Sequence, residues 1–299
     1  MIGIIILNFN NYAVTIDCVN SILNSPPLED YKIILIDNGS KNESVKVLTE
    51  KYASNSNIII KELEDNIGYA KANNYGIQIC DKYNINECIL SNSDVVFLQG
   101  SIDGLVRDIR ELNNAIIVGP KIYNPILKVV QHSSRLCKPS IFEPLELKRF
   151  MPQCYEIDEV SSRGIHEVYL VSGCCFIIDV KKFKSIGCFD ENTFLYNEEN
   201  ILGAKIENSD FKVYMDLSVE VEHVHGASSG VRNTFVCIEL LKSTLYYWKI
   251  YRKMSKATLY IFFMIYIIKM SVLSVINTGL SVKEIFRSGY TYLRLLCRL

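Results

Sequence analysis

The stretch YKIILIDNGS, residues 31–40, combines an apolar run with a polar turn. Ile33 to Ile36 are all aliphatic, and Asp37 to Ser40 then bring carboxylate, amide, glycine and hydroxyl groups in succession. A strand that is apolar on both faces is typical of a parallel sheet covered by helices on each side. The stretch therefore predicts an α/β fold in which a polar cluster closes a buried strand.

The same pattern recurs on both sides of this stretch. Further apolar strands are predicted at residues 2–7, 58–63 and 88–90, and helical spacing follows at 14–23, at 43–52 and after Gly68. This alternation predicts a mostly parallel sheet with ligands at the carboxyl ends of its strands. Four strand ends carry polar residues, namely Asn8 with Asn10, Asp37 with Asn38, Asn66 with Gly68, and Asn92 with Asp94.

The fourth strand end, SNSD at residues 91–94, has the character of a metal motif. Asn92 and Asp94 offer amide and carboxylate oxygens, which Mg²⁺ and Mn²⁺ prefer. Their i, i+2 spacing puts both side chains on one face if the segment is extended. A plain turn explains the tetrapeptide on its own, but its place in a row of polar strand ends favours the metal site.

Composition limits the partners of the chain. It has 299 residues, 49% of them hydrophobic and 22% charged, which suits one large domain with or without an appendage. Residues 230–299 carry eleven Lys or Arg and two Asp or Glu, a balance of +9, whereas residues 1–229 balance at −10. This basic, apolar tail favours an anionic membrane surface over nucleic acid.

Within the tail, residues 257–276 carry a single charge, at Lys269. Twenty such residues are long enough to span a bilayer, although a central Lys costs roughly 2.5–3.5 kcal/mol on insertion. A helix in the membrane plane and a buried core helix remain open.

The cysteine pattern predicts a reducing compartment. Ten cysteines include no C-x-x-C pair, and most sit inside apolar runs, which indicates buried free thiols in the cytosol. With four His, no spacing fits a zinc site. Residues 1–7 lack a basic region and are too short for a signal peptide. The first strand is followed by neither G-x-G-x-x-G nor G-K-S/T, which excludes dinucleotide oxidoreductases and P-loop kinases.

Six motifs follow one another in an order that resembles family 2 glycosyltransferases, and most closely their rhamnosyltransferase-like branch. These are IIILNFN, ILIDNGS, DNIGYAKANNYGI, LSNSDV, SGCCFIIDVKKFKSIGCFDENTFLYNEEN and HVHGASSG. The resemblance covers about residues 1–235. It implies a GT-A fold, a nucleotide-diphospho-sugar donor, Mg²⁺ or Mn²⁺, and inversion at the anomeric carbon.

The resemblance also implies roles for individual residues. Asp37 binds the uracil or thymine of the donor, and Glu199 is the catalytic base, with Glu198 as the alternative. The implied donor-binding residues are Asn8, Asn10, Asp37, Asn66, Gly68, Asn73, Asn74 and Asn92. The implied metal site comprises Asp94, Asn92, His223 and His225, and the acceptor side comprises Asp190 and Tyr196.

Two departures from the family pattern bear on activity. Glu199 stands where the family has Asp, which moves the carboxylate by about one ångström, and Ile201 stands where the family has a further acid. These substitutions motivate one alternative, a catalytically degenerate binding or scaffold subunit at the membrane.

The prediction from the sequence is an inverting glycosyltransferase of cell-surface polysaccharide synthesis, acting on a glycan or lipid-linked acceptor. Resemblance to the branch alone favours dTDP-rhamnose as donor. Residues 1–230 form the transferase domain, with a nucleotide-sugar half at 1–100 and an acceptor half at 101–230. Residues 231–299 form a helical tail that holds the protein at the cytoplasmic face of the membrane, peripherally or by an anchor.

Overall fold

The computed structural model describes residues 1–131, 134–140, 157, 162–224, 234–261 and 264–265. The predicted alternation of strands and helices in the first hundred residues is confirmed. In chain order the elements are β1 Ile2–Asn8, α1 Tyr12–Asn24, β2 Tyr31–Asp37, α2 Ser44–Tyr52, β3 Ile58–Glu62, α3 Tyr69–Lys82, β4 Glu87–Asn92, β5 Val95–Phe97, α4 Ser101–Glu111, β6 Ala115–Asn124, β7 Val129–Gln131, β8 Ser134–Arg135, β9 Ile165–Val168, β10 Leu170–Val171, β11 Cys175–Asp179, α5 Val180–Ser185, α6 Glu198–Ile206, β12 Lys212–His223, α7 Thr234–Tyr246 and a π-helical turn Tyr247–Tyr251.

The central sheet has the strand order β3-β2-β1-β4-β11-β6-β12-β5, with β7 paired to β6 and β9 to β12. Strands β1 to β4 are mutually parallel. In contrast, β11 lies antiparallel between β4 and β6, and β5 is antiparallel to β12. The sheet is therefore mixed: β6 and β12 run in the same direction as β1 to β4, whereas β5, β7, β9 and β11 run the opposite way. The predicted mostly parallel sheet is thus found only in part. A strand buried on both faces has the same apolar pattern in either direction, so its sequence does not reveal its orientation.

Both faces of the sheet are covered. Ile4 and Ile6 of β1 pack towards α1, α2 and α4, whereas Ile5 packs towards α3, α5 and α6. The continuous aliphatic runs exist because alternate side chains of one strand enter two different cores.

A third apolar cluster joins the carboxyl-terminal segment to the body. Ile201 and Ala204 on α6 contact Leu245, Tyr247 and Trp248, together with Leu259. Of the tail segment 257–276, only residues 257–261 and 264–265 lie inside the described ranges. Within the part of the chain that the structure describes, no helix is long and apolar enough to cross a membrane.

The cysteines depart in one place from the expected free thiols. Cys18, Cys80, Cys88, Cys174 and Cys175 are buried and free, as predicted, and Cys188 is free and half-buried. Cys137, however, is disulfide-bonded. It lies within residues 132–163, a stretch that the structure describes only in part.

Candidate active site

Three polar strand ends meet at one edge of the sheet. In the parallel register of β1 with β2, Asn8 lies opposite Asp37, and in that of β1 with β4, Leu7 lies opposite Asn92. This is the edge at which open α/β sheets bind their ligands.

Asp37 is fully buried and is held by its neighbours. Its Oδ2 accepts a hydrogen bond from Asn8 Nδ2 at 2.6 Å, and its Oδ1 accepts one from the Ser40 backbone N–H at 2.8 Å. Asn8 is also buried, and its Oδ1 accepts from the Thr15 hydroxyl at 2.6 Å. Asn10 is exposed at φ 55°, and its backbone N–H donates to Ser40 Oγ. The structure thus places Asn8 in support of Asp37.

The predicted Asn66–Gly68 region forms a turn that contacts the entrance of α6. Asn66 Oδ1 accepts from Asn38 Nδ2 and from the Gly68 N–H, both at 3.0 Å. Gly68 has φ +87°, and a Cβ on it would lie 2.5 Å from the Phe194 carbonyl oxygen. That carbonyl accepts a hydrogen bond from the Tyr69 N–H at 2.9 Å. Glycine is required here by both conformation and space.

Asn74 connects α3 to the acceptor-side motif. Its Oδ1 accepts from the Phe189 N–H at 3.1 Å, and its Nδ2 donates to the Phe189 carbonyl at 3.1 Å and to Glu191 Oε1 at 2.9 Å. Its neighbour Asn73 donates back to the Tyr69 carbonyl at 3.1 Å. Asn74 therefore fixes the position of the segment 189–191.

Asp190 and Tyr196, predicted on the acceptor side, lie close to the carboxyl-terminal segment. Asp190 Oδ2 accepts hydrogen bonds from the hydroxyls of Tyr246, at 2.8 Å, and Tyr251. Tyr196 is half-buried and has φ 74°.

The predicted metal motif lies on a turn. Asn92 ends β4, and Asp94 precedes β5 in a two-residue turn, so the expectation of an extended segment is wrong. Reversal of the chain carries Asp94 towards β12, where its Oδ1 lies 3.1 Å from Nε2 of His223. Both side chains are almost fully buried. His225, the other predicted histidine, lies outside the described residues.

Gln131 fixes the tautomer of His223. The Gln131 Nε2 lies 3.4 Å from the His223 carbonyl, which orients the amide so that its Oε1 accepts from His223 Nδ1 at 3.1 Å. With the proton on Nδ1, the imidazole of His223 would present its Nε2 lone pair to the Asp94 carboxylate. Two acceptors face each other stably only when a proton or a cation lies between them.

This donor pair fits a divalent ion. Two neighbouring ligand atoms, each about 2.0–2.1 Å from an octahedral Mg²⁺, lie about 3 Å from one another. Asp94 Oδ1 and His223 Nε2 are 3.1 Å apart. The carboxylate oxygen suits Mg²⁺ or Mn²⁺, and of these two ions Mn²⁺ accepts an imidazole nitrogen more readily as a ligand. Within the described ranges no group of three or more His, Cys, Asp or Glu residues is arranged to hold a metal. Asp94 and His223 would therefore leave coordination positions for water and for substrate oxygens.

One short segment connects Asn92, at the end of β4, to the predicted base. The Cys174 carbonyl accepts from the Asn92 N–H at 2.8 Å, and the Gly173 N–H donates to Glu199 Oε1 at 3.0 Å. The Gly173 carbonyl in turn accepts from the Tyr69 hydroxyl at 2.6 Å. Glu199, in the first turn of α6, is thus oriented by Gly173, and the next residue, Cys174, bonds to the end of β4.

Glu198 differs from its neighbour. It is buried, and its Oε1 finds no hydrogen-bond partner within the described part of the chain. Burial, and then the negative charge of Glu199, raise the pKa of Glu198 to about 8. At neutral pH Glu198 is mainly protonated, which makes it a poor proton acceptor.

Gln131 and Gly173 were missed by the sequence analysis. Gly173 lies inside the motif SGCC and could have been singled out as a position of close approach, since a Cβ on it would lie 2.5 Å from Glu199 Oε1. Gln131 ends a three-residue strand that carries no motif, and nothing in the local sequence points to it.

Two proteins of named activity are similar to this chain in sequence. An L-rhamnosyltransferase of Mycobacterium tuberculosis that acts on N-acetylglucosaminyl-diphospho-decaprenol is 26% identical over 214 residues, which cover 66% of this chain and 68% of the relative. The low-salt glycan biosynthesis hexosyltransferase Agl10 of Haloferax volcanii is 25% identical over 174 residues, or 56% of this chain and 50% of the relative.

Solved structures share the fold. GalNAc-T7, crystallised with UDP, GalNAc and Mn²⁺, matches 84% of this chain with a TM-score of 0.63 at 16% identity, and the match spans only 49% of that protein. Residues 1–349 of Staphylococcus aureus TarS match 84% of this chain and 73% of that one, with a TM-score of 0.53 at 12% identity. The sequence model described as Glycosyl transferase family 2 matches residues 3–187, well over half of the chain. The protein belongs to glycosyltransferase family 2 and has an α/β, GT-A-like fold.

Proposed function

We propose that this protein is an inverting, metal-dependent glycosyltransferase that moves a sugar from a nucleotide-diphospho-sugar to a glycan or lipid-linked acceptor. One observation carries the proposal. Asn92, two residues before Asp94, and the Glu199 carboxylate bond to adjacent residues of one segment, Cys174 and Gly173, at the ligand-binding edge of the sheet. Asp94 in turn pairs with His223. This arrangement brings together the two groups that transfer requires, a site for the leaving diphosphate and a base for the acceptor.

The reaction is a single displacement. Glu199, oriented by the Gly173 N–H, removes the proton of the acceptor hydroxyl as that oxygen attacks the anomeric carbon. The bond from the anomeric carbon to the diphosphate breaks, and the nucleoside diphosphate leaves with the bonding electrons. A divalent ion held by Asp94 and His223, with Asn92 beside them, would neutralise the charge on that diphosphate.

The donor half of the site is proposed to lie along Asp37 and the Asn66–Gly68 turn. Asp37 is held rigidly by Asn8 and Ser40, which is the preorganisation expected of a group that reads a pyrimidine. Rhamnose from dTDP-rhamnose is the favoured sugar, because the relative of 26% identity is named as an L-rhamnosyltransferase. The name of that relative also favours an acceptor linked through diphosphate to a polyprenol, in cell-surface polysaccharide synthesis.

Such an acceptor suits a site at the cytoplasmic face of the membrane. Tyr260, Ile261, Met264 and Ile265 are exposed apolar residues in the described part of the tail, and the tail as a whole is strongly basic. Removal of residues 262–299 is therefore expected to release the protein from anionic vesicles in a sedimentation assay. A shortened protein that still sediments with the vesicles contradicts this localisation.

The decisive test is a donor screen that measures release of nucleoside diphosphate from dTDP-rhamnose and from UDP and GDP hexoses. We expect release from at least one donor with Mn²⁺ or Mg²⁺, and none after chelation. Absence of both release and metal-dependent nucleotide binding contradicts the enzyme and favours the scaffold subunit. The substitution behind that alternative has a structural reason, since Ile201 is 1% exposed and packs against the carboxyl-terminal segment.

A further inference from the structure

The entrance of α6 has an unfavourable backbone conformation. Tyr196 and Asn197 are consecutive residues with φ of 74° and 64°, a left-handed conformation that side chains other than glycine rarely adopt. Asn197 precedes α6, but its side chain makes no capping hydrogen bond to the helix. Strained backbone of this kind persists only where surrounding contacts hold it. The contacts that hold this turn determine where the carboxylate of Glu199 lies.

Two of those contacts come from α7. The hydroxyl of Ser243 donates to the Leu195 carbonyl at 2.7 Å, and Asn197 Nδ2 donates to Thr244 Oγ1 at 3.0 Å. Ser243 is 2% exposed, so its hydrogen bond is shielded from water. Neighbouring residues of one helix thus hold the turn on both sides of Tyr196.

Two further contacts converge on Asp190. Its Oδ2 accepts from the hydroxyls of Tyr246 and Tyr251, and its Oδ1 accepts from the backbone N–H of Asn192 at 2.9 Å. Burial alone would raise the pKa of Asp190, but the hydrogen bonds from Tyr251, Asn192 and Tyr246 together lower it. Asp190 is therefore an ionised, fixed acceptor whose two oxygens are both engaged within the protein.

The carboxyl-terminal segment also packs along α6 as far as the end of that helix. Ile201 and Ala204 pack against Leu245 and Trp248, and beyond the last turn of α6 the Arg252 guanidinium pairs with Glu207 at 2.7 Å. The apolar contacts are buried and bring the segment and the helix together as one packed unit.

The opposite side of the turn is held by the nucleotide half of the protein. The Phe194 carbonyl accepts from the Tyr69 N–H at 2.9 Å, and its close approach depends on Gly68. The turn is therefore fixed between α3 on one side and α7 on the other, with Glu199 three residues after Tyr196.

We propose that Asp190, Tyr246 and Tyr251 form a clasp through which the carboxyl-terminal segment positions Glu199. Asp190 is thereby a positioning residue, and the segment from Thr234 to Leu259 is needed to hold Glu199 in its active position. The proposal rests on the proposed function only in taking Glu199 as the base.

The test uses the full chain with Tyr246→Phe and Tyr251→Phe combined, which removes both hydroxyls and keeps both rings. Tyr260→Phe is the matched control, because Tyr260 is an exposed tyrosine that directly follows this segment. Hydrogen exchange of residues 194–199 should accelerate by about tenfold or more in the double variant. Donor turnover, kcat, should fall by about tenfold or more, while KM for the donor and Kd for nucleotide stay within about twofold.

Each arm of the test decides a different point. Unchanged exchange at residues 194–199 overturns the clasp, whether or not the protein turns over a donor. Faster exchange with unchanged kcat overturns the connection to Glu199. A wild-type protein without turnover contradicts the proposed function alone, since the exchange arm still decides the clasp. Should the double variant unfold, Ser243→Ala removes one hydrogen bond to the same turn and is judged by the same measurements.

Discussion

Replacement of Glu198 by Gln separates the two adjacent carboxylates. Glu198 is almost entirely buried, and its pKa is raised from 4.5 to about 8 by burial and by Glu199. In the unfolded chain Glu198 ionises near pH 4.5, so between pH 4.5 and 8 the unfolded state releases a proton that the folded state retains. The wild-type protein therefore loses stability as the pH rises through this window.

The size of the effect follows from the pKa shift. Each pKa unit corresponds to about 1.4 kcal/mol, so a rise from 4.5 to about 8 corresponds to as much as about 5 kcal/mol. A neutral Gln carries no such penalty. Glu198→Gln should match the wild-type free energy of unfolding near pH 4.5 and exceed it increasingly up to pH 8.

Urea unfolding at pH 5.0, 6.5 and 8.0 measures this difference, with Glu50→Gln on the exposed face of α2 as the control. Donor turnover measured on the same samples should be retained at pH 7 in Glu198→Gln and lost in Glu199→Gln. A stability difference independent of pH would refute the raised pKa. Loss of turnover in Glu198→Gln, with wild-type turnover in Glu199→Gln, would refute the assignment of the base.

Three further predictions concern the residues around the metal pair and the base. Gly173→Ala puts a Cβ 2.5 Å from Glu199 Oε1, so the carboxylate must move. Because that carboxylate is the end of a flexible side chain, the melting temperature should change little, whereas turnover should fall about 10²-fold. Full turnover would contradict the role of Gly173. Asp94→Asn and His223→Gln should each abolish Mn²⁺-dependent nucleotide binding in calorimetry, and binding retained in both would exclude this pair as the metal site. Gln131→Leu leaves His223 Nδ1 without its acceptor and should weaken Mn²⁺ affinity about 10- to 100-fold, whereas unchanged affinity would mean that the tautomer needs no support.

The sequence predicted the first hundred residues well because their signals are local. Each strand of this half is a short aliphatic run closed by polar residues, and each helix has its own apolar spacing. The elements and their order can therefore be predicted from residues that are close together in the sequence. Asn8, Asp37 and Asn92 then meet because parallel strands in adjacent positions bring their ends to one edge.

The second half was less predictable because its contacts are distant in sequence. Strand β11, inserted between β4 and β6, runs antiparallel to both, and nothing in the apolar run Phe176 to Ile178 indicates that direction. Gln131 reaches His223 across 92 positions, and Asp190 reaches Tyr246 across 56. Polar pairs of this kind depend on the packed fold, and neither member has a spacing that reveals the other.

The most direct test of the account is the location of Mn²⁺ by anomalous diffraction in crystals of the full chain grown with Mn²⁺ and dTDP or UDP. We expect an anomalous peak within coordination distance of both Asp94 Oδ1 and His223 Nε2, with the diphosphate bound to the same ion and the pyrimidine beside Asp37. A bound nucleotide with Mn²⁺ elsewhere, or a nucleotide away from the carboxyl ends of β1, β2 and β4, would contradict it.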